Sequence, residues 1–306
     1  MTRQSPFTRT ERVLAYIHDN LEQALTLDDL ARVCGVSRWQ LQRIFQQQTG
    51  LNVAQYVREL KLSLAADTVL QSDGRMLDIA YQHGFASEVS FSRAFKQFFG
   101  LSPSAYRRRG IRVGLRNPIQ IGRSNQIDHA FLQTRIEYRE PFAIFGLSTA
   151  LQGVLAEKPD FYTQVPLTWE KLLSQVAQLD GLEAQMIGVV DTRLTHDSQQ
   201  HIEYWAGLNV HLDYLAQLKQ LQSQSCLSRL AIPAQEYAVV SYQGQLSGFS
   251  QLVEWLICEW LPDSGYDSIN GFELECYGEL ALHGHQPSQM EYWLPVIPVT
   301  QPRKKL

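Results

Sequence analysis

The side chains in this sequence best placed to do chemistry are hydrogen-bond donors on helix faces. Trp39, Gln42, Arg43 and Gln46 stand at i, i+3, i+4 and i+7, and Val89, Ser92, Arg93 and Lys96 repeat that spacing fifty positions later. The chemistry open to them is recognition of base edges. An arginine can set two parallel donors on guanine O6 and N7, and a glutamine can pair with adenine N6 and N7. Trp39 can pack on a thymine methyl or a sugar. A solvated helix face also carries Arg and Gln, so one such face decides little. Two in one register, each with its arginine in the same place, point to a chain that reads two positions on one linear partner.

The elements that must position these side chains are duplicated too. Residues 27–58 read LDDLARVCGVSRWQLQRIFQQQTGLNVAQYVR, and residues 76–108 read MLDIAYQHGFASEVSFSRAFKQFFGLSPSAYRR. Gly35 answers Gly84, Arg43-Ile-Phe45 answers Arg93-Ala-Phe95, Gly50-Leu51 answers Gly100-Leu101, and Tyr56 answers Tyr106. The second copy has gained one residue in its turn. Leu27, Leu30, Ala31 and Cys34 form the apolar stripe of a short helix. Gly35 stops it because glycine tolerates positive φ, and Ser37 offers an N-cap to the next helix. That helix buries Leu41, Ile44 and Phe45. In the second copy Phe91, Ala94, Phe95 and Phe98 make the inner face. Helix, glycine-bearing turn, helix is the helix-turn-helix pattern.

These motifs carry a resemblance. Positions 11–108 resemble the DNA-binding domain of AraC/XylS-type transcription activators, of the branch that includes Rob, MarA and SoxS. The match rests on A-x-x-x-G-x-S-x-x-x-L-x-R-x-F in the first copy. In the second it rests on D-I-A-x-x-x-G-F-x-S, F-x-R-x-F-K and G-x-S-P-x-x-Y-R. The resemblance implies base contacts from Trp39, Gln42 and Arg43, and from Glu88, Val89, Ser90 and Arg93. It also implies RNA polymerase as a partner beside double-stranded DNA. The second unit departs from the branch, which commonly has a pair of Gln and a Thr before the arginine. Glu88 and Val89 cannot replace those donors, so the downstream half-site is expected to be read differently or weakly, with phosphate contacts dominant.

Charge separates the chain into two parts. Residues 1–116 hold 16 Lys and Arg against 10 Asp and Glu, whereas the whole chain has 27 against 31, leaving 11 against 21 for residues 117–306. A basic first third joined to an acidic remainder suits a nucleic-acid binder fused to something else. Phosphate contacts are expected from Arg107-Arg108-Arg109, Arg38, Arg58 and Lys61. Cys34, Cys226, Cys258 and Cys276 lack C-x-x-C spacing and read as reduced and structural. MTRQSPFTRT has no apolar signal region, and no run approaches eighteen apolar residues. A cytoplasmic, nucleoid-associated protein without membrane contact is expected.

The pattern lapses between Gly110 and Ala130, which reads as a linker with a short extended piece near 111–121. Beyond it the chain repeats again. HIEYWAGLNV (201–210) matches QMEYWLPVIP (289–298), and EPFAIFGLSTALQG (140–153) matches AQEYAVVSYQGQLSG (234–248). An amphipathic run follows each of the latter pair: Trp169, Leu172, Leu173 and Val176, then Leu252, Trp255, Leu256 and Trp260. GVVDTRL and FELECYG read as strands. The expected fold is therefore an all-α domain (1–110) with two helix-turn-helix units, about 27–58 and 76–108. A linker (111–130) joins it to an α+β domain (131–303) built from two strand-helix-strand-strand repeats, with a groove where they meet.

That second layout, with F-x-L-E-C-Y-G-E at 272–279 and the terminal E-Y-W-L-P-V, resembles the GyrI-like effector-binding domain. The resemblance implies a pocket for a small amphipathic or cationic effector, with a carboxylate inside it. Glu291 falls at the family's pocket glutamate and Glu275 at a second recurrent acid. Tyr204, Trp205, Tyr292 and Trp293 would supply aromatic walls. No G-x-S-x-G, H-E-x-x-H or phosphate-binding glycine loop occurs, and His201, His211, His283 and His285 are scattered. Neither catalysis nor a cofactor or metal is expected. A different reading keeps DNA binding secondary and makes the acidic domain a protein-binding or ligand-sequestering module.

Overall fold

Caps decide where the first helices begin and end. Thr26, Ser37 and Ser87 each open a helix through a capping box, accepting from the backbone N–H three residues on while that residue's side chain reaches back. Asn52 and Ser102 cap two more. The computed structural model describes residues 6–23, 25–121, 131–152, 160–177, 182–193, 202–210, 227–242, 248–279 and 290–299. The chain divides into two units, residues 1–137 and 138–306.

The first unit runs α1 (Pro6–Asp19), α2 (Leu27–Cys34), α3 (Arg38–Thr49), α4 (Val53–Gln71), α5 (Met76–Gln82), α6 (Glu88–Phe99) and α7 (Pro103–Arg109). The pairs α2–α3 and α5–α6 are the two helix-turn-helix units. Gly35 (φ 65°) and Gly84 (φ 77°) turn the chain in the left-handed region. Directly after them, Val36 N–H reaches Ala31 O at 3.1 Å and Phe85 N–H reaches Ala80 O at 2.9 Å. Both helices thus end in the same glycine-stopped motif, and the residue gained in the second turn is Ala86, between Phe85 and the capping Ser87. Val13, Leu14 and Ile17 of α1, Leu30, Ala31 and Cys34 of α2, Leu41 and Phe45 of α3, and Val53, Tyr56, Val57 and Leu60 of α4 form one core. The second unit is built on rings, with Phe95 5.4 Å from Phe91, 4.4 Å from Phe99 and 5.3 Å from Tyr106. Helix α4 serves both, packing on α3 and on α5, α6 and α7.

The segment expected as a linker is, over 111–121, fastened to this unit. Ile119 is buried in the first core, and its N–H donates to the Tyr56 hydroxyl at 2.8 Å. Arg116 N–H donates to Ser63 Oγ at 2.8 Å, and Arg112 pairs with Asp67 at 3.2 Å. Buried hydroxyls on α4 need partners, and the extended chain supplies them. Its strand β1 (Leu115–Arg116) pairs with the start of β4 (Thr134–Arg139), and β2 (Gln120–Ile121) pairs with β3 (Phe131–Leu132).

The second unit contains β5 (Phe142–Leu151), α8 (Phe161–Val176), β6 (Ala184–Asp191), β7 (Ile202–Val210), β8 (Ser228–Ile232) and β9 (Gln235–Tyr242). Then come α9 (Phe249–Trp255), which continues through a π-helical turn to Asp263, β10 (Tyr266–Ser268), β11 (Phe272–Glu279) and β12 (Met290–Pro298). The antiparallel sheet has the order β9-β12-β11-β6-β7-β5-β8. Strands β5, β6 and β7 with α8 mirror β9, β11 and β12 with α9, so a pseudo-twofold axis falls between β6 and β11. These are the two strand-helix-strand-strand repeats read from the sequence; β8 and β10 are additions to them. Among the described residues no helix is long and apolar enough to cross a membrane.

Candidate functional site

Helices α3 and α6 present the same alternation of buried and exposed positions from Leu41 to Gly50 and from Phe91 to Gly100. Leu41 and Phe45 are buried in one, Phe91 and Phe95 in the other. What remains outside is the expected face. Trp39 is 65% exposed, with the Arg43 guanidinium carbon 5.4 Å from its ring centre. Gln46 is exposed and Gln42 half-buried, and these four line a shallow concavity with Gln47. In α6, Glu88, Val89, Ser90, Arg93 and Lys96 are exposed and Ser92 is half-buried. Ser90 is the capping-box partner of Ser87: its hydroxyl donates to Ser87 O at 2.8 Å and accepts from Ser87 N–H at 3.3 Å.

The arginine run divides. Arg107 donates from Nε to Val69 O and from Nη2 to Gly74 O, both at 2.8 Å. It thereby satisfies carbonyls at and beyond the α4 C-terminus and holds α7 there, so its expected role in phosphate contact gives way to a structural one. Lys61 likewise donates to Gln23 O at 2.6 Å, and Arg38 pairs with Asp28 at 3.3 Å. Arg108 is exposed. Arg108→Ala should therefore weaken binding to all duplex sequences alike and lower the salt slope by about one. Arg107→Ala should instead lower the thermal midpoint. Salt titrations and melts of both variants check this.

In the second unit the six expected ligand residues do not converge. Side chains alternate across a strand, so Tyr204, Glu275 and Tyr292 lie on the face covered by α8 and α9, while Trp205, Glu291 and Trp293 lie on the other. Trp205 and Trp293 pack there with Ile144, Ile187, Val189, Tyr237 and Cys276. Glu291 pairs across the ladder with Cys276 and accepts from Trp293 Nε1 at 3.2 Å. The expectation of one pocket lined by Glu291 and all four rings is thus corrected by strand parity.

The helix-covered face holds a different constellation. Glu275, 1% exposed, accepts at Oε2 from the Tyr204 hydroxyl at 3.0 Å and from the Tyr277 hydroxyl. Trp169 Nε1 donates to the Tyr204 hydroxyl at 2.9 Å, and the Trp169 and Tyr277 rings meet edge-on at 5.5 Å. Glu273 accepts from Tyr292 at 2.6 Å. Gly188, paired with Glu275, leaves the space: a Cβ there would lie 2.4 Å from the Tyr204 hydroxyl and 2.7 Å from Glu275 Oε2. Above this floor the leading residues of the two helices stack, Phe161 on Phe249 at 6.0 Å, and the Tyr162 hydroxyl donates to Ser250 Oγ at 2.9 Å. Glu275 Oε1 is buried with no hydrogen-bond partner among the described residues. Burial pushes the Glu275 carboxyl up to about 7, against the hydrogen bonds from Tyr277 and Tyr204 that pull it down, with Glu273 adding to the rise. Burial raises the Glu273 carboxyl as well. Trp169, Tyr277 and Gly188 carry no sign of a site in the sequence, because nothing local sets β6 beside β11 or α8 over them.

The register shows how the duplication was broken. Tyr204 pairs with Val190, and its counterpart Tyr292 pairs with Glu275. Val190 and Gly188 of the first repeat therefore stand where the second repeat has Glu275 and Glu273. Both acids come from one half.

Two helix-turn-helix units on one domain, and a duplicated α+β domain with a buried carboxylate among rings, define a two-part DNA-binding transcription regulator with a small-molecule-binding module. The chain belongs to the GyrI-like small molecule binding family, whose sequence profile matches residues 132–297, and the profile of a helix-turn-helix domain matches residues 30–109. It is 26% identical to the right origin-binding protein of Escherichia coli K12 over 295 residues, 94% of this chain and 96% of that one. Identity to the transcriptional regulator Rob of Salmonella typhimurium is 25% over 294 residues, 93% and 96% of the two chains. The multiple antibiotic resistance protein MarA of the same species is 37% identical over 95 residues, 31% of this chain and 75% of that protein. The first unit is accordingly AraC-type, of the Rob and MarA branch.

Proposed function

We propose that the chain activates transcription by binding an asymmetric duplex site as a single molecule. Its two helix-turn-helix units enter successive major grooves about 34 Å apart, and RNA polymerase is the protein partner. Trp39, Gln42, Arg43 and Gln46 read the upstream half-site. The observation that carries this reading is the shared exposure pattern of α3 and α6, which presents Arg43 and Arg93 from equivalent positions of two units joined by one helix. The protein acts in the cytoplasm on the nucleoid, away from membranes, and is not an enzyme. Arg43→Ala should cost about 1–3 kcal/mol of binding and relax the preference for one guanine. A footprint identical to that of the unaltered protein would remove α3 from the interface.

The acidic unit takes the effector. Its ligand is a small amphipathic cation, held on the α8/α9 face at Glu275 with Tyr204 and Tyr292 nearby. An acid with one unpartnered buried oxygen costs free energy when ionised, and a cation among aromatic rings relieves that cost. Tryptophan quenching by an amphipathic cation should be much weaker in Glu275→Gln than in Glu291→Gln. The reverse order would move the site to the other face of the sheet.

A further inference from the structure

We infer that the second helix-turn-helix unit reads its half-site through a thymine methyl group packed on Val89 and a cytosine amino group held by Glu88. This rests on the assignment of α3 and α6 as the groove-entering helices.

Val89 is 71% exposed and Trp39 is 65% exposed, and both are large apolar side chains. They are the second residues of α6 and α3, so the same place on each helix offers an apolar surface to the groove. In the major groove the apolar feature on offer is the thymine C5-methyl. Removing that methyl and Val89 from water together is the gain such contact brings.

The side chains beside Val89 narrow what else this helix can read. Ser90 is held in the capping box, its hydroxyl donating to Ser87 O and accepting from Ser87 N–H, so it has no proton to offer a base. Ser92 is half-buried. Glu88 opens the helix, is exposed, and as a carboxylate can only accept. Cytosine N4 offers a donor with no acceptor on the same major-groove edge. Adenine N6 has N7 beside it, which repels a carboxylate. Cytosine is the base that Glu88 fits. Arg93, exposed one turn on, stays available for a guanine. The second half-site is therefore specific, with a pattern unlike the first.

The test is selection of duplexes from a library randomised across both half-sites, using the full chain, followed by equilibrium binding to the selected duplex. The expected downstream pattern is an adjacent thymine and cytosine preferred as sharply as the upstream bases. Replacing that thymine by deoxyuridine, which removes one methyl, should weaken binding about fourfold. In Val89→Ala the thymine and uracil duplexes should bind alike. In Glu88→Gln the preference should move from cytosine to adenine, since an amide pairs with N6 and N7. A downstream half without base preference, beside a sharp upstream half, overturns the inference and leaves the groove assignment standing. So does a thymine-over-uracil preference that survives Val89→Ala. Loss of preference in both halves overturns the assignment as well.

Discussion

Replacing Glu275 by Gln should remove most of the pH dependence of the second unit's stability between pH 5 and pH 8. The folded carboxyl titrates near 7, raised by burial, so the folded state keeps a proton that the unfolded chain has released. The stability this group contributes is present in full below its unfolded value, about 4.5. It is lost as the pH rises through the folded value. A rise of that size corresponds to something on the order of 3 kcal/mol. Five of the six tryptophans, all but Trp39, lie beyond residue 137, so urea unfolding followed by tryptophan fluorescence reports mainly on this unit. Glu273, raised in the same direction by burial, leaves a smaller slope in the variant. Equal losses in the two proteins between pH 5 and pH 8 would take Glu275 out of the account. At pH 8 an amphipathic cation should restore stability to the unaltered protein and not to Glu275→Gln.

The second large effect is expected at Gly188. An added methyl would fall between the Tyr204 hydroxyl and Glu275 Oε2, closer to each than real Cβ contacts come. One of the two oxygens must move, and their mutual hydrogen bond joins β7 to β11 across β6. Overpacking costs about 1–3 kcal/mol, and the loss of a buried hydrogen bond adds about 0.5–1.5. Gly188→Ala should thus destabilise the unit by about 3 kcal/mol. Tyr204→Phe in the same background, which withdraws the hydroxyl, should restore part of it. An unchanged unfolding midpoint in Gly188→Ala would mean the floor of the site is looser than these distances.

The two helix-turn-helix copies were legible almost to the residue because their signals are local. Glycines at the turns, serines at the caps and apolar positions at helical spacing sit within a few residues of what they determine. What could not be read there was non-local: Arg107 looks like the two arginines that follow it until α7 is set against the α4 terminus. In the second unit the duplicated Glu-Tyr-Trp strands gave away the repeats. They also held the clue that was missed, since Glu291 and Trp293 differ by two and must share a face that Tyr292 does not. Choosing which face is the site required knowing where α8 and α9 lie, and that depends on the order of strands in the sheet.

The two acids on β11 face a glycine and a valine at the matching positions of β6. A twofold scaffold whose halves are chemically unlike gives a bound molecule a head and a tail. On the reading proposed above, a cation would settle against the second repeat and its apolar remainder would extend over the first. Ligands that are themselves symmetric gain nothing from the fold's symmetry, and among isomers the affinity should follow the direction of the charge.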